Sequence, residues 1–167
     1  MTNTFQDNTV RKSLLDVFVA NYAAAVDNPT PPTGQKHYGI QFDVVKLGPL
    51  GNQDFRKRSA IGIVADKEVK TLLFPLREPR FKVIVEFHYT INQGDEDPAV
   101  IAERLLGVVT QIMYDDSTLG GLAIMCDDVD NSVDLDTYAD RSVKGTVTWE
   151  VLYRHNMQSI YDPDPSI

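Results

Sequence analysis

The chain has 167 residues, 43% hydrophobic and 24% charged, which suits one domain spanning 1–167 with an ordinary core. Its net charge of −8 excludes a protein whose main task is coating nucleic acid, since that needs a basic footprint. A single cysteine, Cys126, excludes an internal disulfide, and no apolar run approaches the roughly 18 residues that cross a bilayer.

The N-terminal residues MTNTFQDNTVRKS lack the basic-then-apolar layout of a signal peptide, so a non-secreted domain is expected. A helix is predicted over about 8–26. Asn8 can cap it, and Val10, Leu14, Val17, Phe18, Tyr22 and Ala25 share one broad face, with Asn21 at its edge. Three prolines and a glycine in DNPTPPTGQ (27–35) end that helix and open a linker. Tyr38, Ile40, Phe42 and Val44 alternate with polar residues or glycine, the pattern of a half-buried strand. Residues 48–59 read as a mobile loop tipped by Arg56, Lys57 and Arg58, with a short strand over 60–65 returning to make a hairpin. LFPLREPR, with Pro75 and Pro79, reads as extended and irregular.

From Phe81 to Ile91 every second residue is apolar, while Lys82, Glu86, His88 and Thr90 point the other way, predicting a long strand with one wet face. The second helix opens at Asp97-Pro98. Asp97 is its N-cap, Pro98 its first residue, and the carboxylates of Asp95, Glu96 and Asp97 suit the helix dipole. Ile101, Leu105, Val108, Val109 and Ile112 form its buried stripe. Gly120-Gly121 releases the chain into a strand over 122–129, an acidic loop spans 130–141, and a last strand carries Val143, Val147, Trp149, Val151 and Tyr153 inward. The tail, about 156–167, is polar, proline-bearing and extended. These elements make an α+β fold, a mostly antiparallel sheet with two helices packed on one face.

Chemistry is sparse. His37, His88 and His155 lie far apart without ligand-pair spacing. The run from Asp127 to Asp136 lacks the glycine and glutamate that a calcium loop needs. Cys126 sits among apolar and acidic neighbours that weaken a thiolate. There is no G-x-S-x-G elbow and no glycine-rich phosphate loop. No catalytic residue, metal site or cofactor is predicted, and the expectation is that the protein is not an enzyme.

Charge is more informative when divided along the chain. Residues 1–85 carry 12 basic and 8 acidic side chains, residues 86–140 one basic and 13 acidic, and residues 141–167 three of each. A basic front and an acidic middle suit a solvated face, or subunits that meet unlike charge to unlike charge.

The order of elements, with Asp97-Pro98 at the helix start, Thr118-Leu119-Gly120-Gly121-Leu122, and the strand end Val151–His155 followed by Asp162-Pro163, resembles the bacteriophage tail terminator family (tail completion, minor tail protein U-like). The resemblance is strongest over 80–163. It implies a virion structural protein, assembled in the host cytoplasm. Such proteins form a homo-hexameric ring that caps the tail tube, terminates its polymerisation and provides the head–tail joining surface. Its partners are then the tail tube protein, a neck or head-completion protein and, in a contractile tail, the sheath protein. DNA passes through without specific binding, and no membrane is involved. Under that reading Arg56, Lys57 and Arg58 are candidates for a subunit or tail-tube contact. Asp95, Glu96, Asp97, Asp128, Asp130, Asp134 and Asp136 are candidates for an acidic lumen surface that repels phosphates. The alternatives are another neck or head-completion connector ring, a metal-dependent hydrolase using the acidic cluster, and a monomeric adaptor.

Overall fold

The first helix, α1 (Val10–Ala23), starts one residue later than an Asn8 cap would place it, because Thr9 is the cap: the Thr9 hydroxyl accepts from the Lys12 N–H. The computed structural model describes residues 8–92, 94, 97–134 and 141–164. Val10, Leu14, Leu15, Phe18 and Tyr22 are buried along α1, and the Tyr22 hydroxyl donates to the Val109 carbonyl at 2.8 Å. The second helix, α2 (Pro98–Tyr114), begins as its sequence predicts, with Pro98 first and the Asp97 carboxylate accepting from Ala99 N–H at 2.8 Å. A cap of this kind contributes about 1 kcal/mol.

Between the helices lie β1 (Ala25–Val26), β2 (Lys36–His37), β3 (Val44–Leu47), β4 (Ser59–Leu73) and β5 (Leu76–Thr90). After α2 come β6 (Met125–Asp134), β7 (Ser142–Leu152), β8 (His155–Asn156) and β9 (Ser159–Pro163). The main sheet runs β3-β4-β5-β7-β6, with β8 and β9 appended beside β5. All its pairs are antiparallel except β3 with β4. Both helices cover one face, and Phe18, Leu105 and Val109 join Ile61, Val83, Val85, Val147 and Trp149 in one hydrophobic cluster. The α+β fold with two helices on one sheet face is therefore what the molecule has.

Four local expectations need correction. The segment 38–44 is mostly irregular rather than a strand. Gly39 adopts a φ of +74°, which breaks the extended run, yet Phe42 still reaches the core. The strand over 60–65 does not return as a hairpin partner of that segment. It is the first part of the 15-residue β4, pairs with β3 in parallel, and forms its hairpin with β5. A parallel pair needs a crossover, and residues 48–58 supply it by passing over the sheet, with a short 3-10 helix at Asp54–Arg56.

LFPLREPR is likewise not irregular, because it forms the turn and outgoing strand of that hairpin. Pro79 is tolerated where β5 changes neighbours, between its pairing with β7 from Arg80 and with β8 up to Arg77. The Pro79 carbonyl accepts from Tyr153 N–H at 3.2 Å on that side, so its missing N–H leaves no broken ladder. The fourth correction concerns the acidic stretch, since residues 130–134 continue β6 instead of opening a loop. Residues 156–163 of the tail carry β8 and β9, and Asp164 is buried beside Arg154 at 3.8 Å.

Candidate functional site

The sheet face away from the helices is not uniformly wet. The crossover lays Phe55 edge-on to His88, centroids 5.2 Å apart, while the Lys144 ammonium sits 4.2 Å from the Phe55 ring centre. Leu50 N–H donates to the Glu86 carboxylate at 3.0 Å, and the Lys46–Asp54 ion pair closes at 2.5 Å. His88, expected on the wet side, is consequently buried. Burial lowers the His88 pKa below the ordinary 6.5, and the nearby Lys144 charge lowers it further. The neutral ring is thus the form that the fold holds. In the unfolded chain the ring binds a proton more readily, so stability falls as pH drops below the ordinary histidine range. His88→Gln should flatten that part of a urea-denaturation pH profile. An unchanged slope between pH about 7 and 5 would contradict the assignment.

Beside this clamp is a cavity of about 320 Å³, bordered by Leu50, Phe55, Glu86, Lys144 and Thr146. Among the described residues no group of three His, Cys, Asp or Glu side chains could hold a metal ion. Burial, reinforced by Asp127, pushes the Cys126 thiol up to about 12, far from a reactive thiolate. No described helix is long and apolar enough to cross a membrane.

The predicted basic cluster is divided by the fold. Arg56 ends the short 3-10 helix and Lys57 follows it, both exposed. Arg58 turns back: its guanidinium donates to the Tyr89 hydroxyl at 2.8 Å and stacks over that ring. Of the acidic candidates, Asp97 is committed to capping α2 and Asp128 accepts from the Tyr114 hydroxyl. That contact pushes the Tyr114 pKa up to about 12. Asp130 and Asp134 are exposed on β6, which among the described residues is an edge strand paired with β7. Asp95, Glu96 and Asp136 lie outside the described residues. The basic and acidic candidates are therefore not gathered into one site.

What the sequence reading missed is the arm. Beyond the irregularity between Ala65 and Glu68, β4 exposes Val69, Leu72 and Leu73, and Phe74 in the turn that follows is 81% exposed. Opposite them in the sheet order, edge strand β6 exposes Met125 and Val129. The signal was present in the unalternating Leu72-Leu73-Phe74 run ahead of Pro75, which neither a two-faced strand nor a polar turn explains. Edges that expose apolar residues are the ones other chains add to. Comparisons with protein-family models and with curated proteins find no match for this chain.

Proposed function

We propose that this chain is a virion structural protein of the tail terminator type. Several copies, six by the family resemblance, close into a ring that caps the tail tube, stops its growth and offers the surface that joins the head. The carrying observation is a helix-covered sheet with two open, apolar-dotted edges at its opposite ends, the outer part of β4 and the whole of β6. A subunit with unlike open edges builds head-to-tail contacts, and such contacts close into rings when the rotation between copies permits.

The same reading gives Arg56 and Lys57 to a tail-tube or neighbouring-subunit contact, as exposed cations on the crossover. It places the exposed Asp134 toward the bore, where carboxylates repel passing DNA and keep it from sticking.

Light scattering behind a sizing column tests the ring, and assembly in the presence of tail-tube protein tests the cap. The expected results are a closed oligomer and tubes of arrested length. A monomer that also leaves tube growth unchanged overturns the proposal.

A further inference from the structure

The two open edges carry matching short sequences of opposite charge. On β4 the run is Lys67-Glu68-Val69-Lys70; on β6 it is Asp127-Asp128-Val129-Asp130. In each, the second residue is an acid held by a tyrosine of its own chain. Glu68 accepts from the Tyr153 hydroxyl at 2.7 Å and lies 3.7 Å from Arg11, and Asp128 accepts from Tyr114. In each, the valine is exposed, Val69 by 59% and Val129 by 49%. The outer residues, Lys67 and Lys70 on one side and Asp127 and Asp130 on the other, are exposed as well. Lys70 keeps only peripheral contacts, 3.8 Å to Glu68 and 3.3 Å to His155.

Backbone pairing is open at both places. Strand β3 covers β4 only from Ala60 to Ile63, so the outer side of β4 from Lys67 to Leu73 pairs with no described strand. Among the described residues, strand β6 pairs with β7 alone. The two edges stand on opposite sides of the sheet, in the order β3-β4-β5-β7-β6, and so cannot satisfy each other within one copy.

We propose that copies of this chain join through these edges, the outer part of β4 in one copy lying along β6 of the next. Strands β4 and β6 run in opposite directions within the sheet, so the joined edges pair antiparallel, Lys67 facing Asp130 and Lys70 facing Asp127, and the backbones extend one sheet across the subunit boundary. The occupant is a second copy because one chain carries both halves, with unlike charges at the same spacing around the same apolar residue. Each contact leaves one edge of each kind open, so association continues until the assembly closes. The inference deepens the ring reading and rests on it for the self-assembly of the chain.

The test uses two charge-reversal variants of the full chain, Lys67→Glu/Lys70→Glu and Asp127→Lys/Asp130→Lys. Each substitutes exposed side chains, and circular dichroism checks that each folds. At low salt the wild type is expected to be oligomeric, and each variant alone to associate on the order of 100-fold more weakly. An equimolar mixture should regain the oligomer, because each variant then meets the edge that complements its own, and a single chain carrying all four reversals should assemble by itself. The inference is overturned if both variants assemble like wild type, if the mixture and the four-reversal chain stay dissociated, or if the wild type is monomeric. The ring reading falls separately, only if the wild type also leaves tail tubes uncapped.

Discussion

Replacing Trp149 by alanine is expected to destabilise the domain by about 3–5 kcal/mol, much of the 5–15 kcal/mol that a domain usually has in total. Trp149 is the largest fully buried side chain, placed on β7 between Val83 of β5 and Asp128 of β6. Its ring meets Tyr114 edge-on at 5.7 Å, so it ties α2 to the sheet. Truncation removes both the buried area and the contact that seats the end of α2. Because Tyr114 also holds Asp128, the loss reaches β6 as well. In urea, the unfolding midpoint should fall with little change in slope, and Trp149→Phe should retain much of the loss. A shift below about 1 kcal/mol for Trp149→Ala would contradict this packing.

Gly145→Ala is expected to be the second most damaging change, although it adds one methyl group. Gly145 lies opposite Phe87 on one side and Val133 on the other. A Cβ there would stand 2.4 Å from the Phe87 ring and 2.5 Å from the Ser132 carbonyl oxygen. The ring can turn aside at some cost, but the carbonyl belongs to strand β6, which has to move. Overpacking of this sort costs about 1–3 kcal/mol. Adding Phe87→Leu should recover only part of it, since the clash with Ser132 remains. Thermal unfolding of the single and double variants measures this directly, and full recovery in the double variant would show that the backbone contact is unimportant. If copies join through β6 as proposed, its displacement should also weaken that association.

The sequence was most legible where one chemical rule dominates. Asp97-Pro98 marks a helix start because capping and the missing proline N–H both belong there, and α2 begins at that point. The alternation of Phe81, Val83, Val85 and Phe87, and of Val147, Trp149 and Val151, leaves one face for the core, and those residues are buried. Legibility failed where tertiary pairing overrides local preference. Asp130 to Asp134 have poor strand propensity, yet β7 holds them in register, with Asp134 opposite Lys144 and Ser132 bonded to Thr146 across the pair. Prolines in LFPLREPR argued against a strand, whereas Pro75 falls in the turn and Pro79 at a change of neighbours. His88 looked wet because only its own strand was visible. Phe55, over thirty positions earlier, is what covers it.

The proposed contact surface was legible as charge and not as place. A basic front and an acidic middle suggested unlike surfaces, but Arg58 folds onto Tyr89 and the cations proposed for self-contact sit on the arm instead. Strand pairing decides which edges remain open, and pairing between distant segments leaves little trace in local spacing. Exposed apolar residues on a charged edge are then the readable sign, once the edge is known.

If copies of this chain close into a ring on a tail tube, as proposed, electron micrographs of tubes assembled with the protein should show one closed ring at one end of each tube, and lengths that stop increasing once the ring is present. Tubes with bare ends that keep growing at saturating protein, as they do without it, would refute the ring.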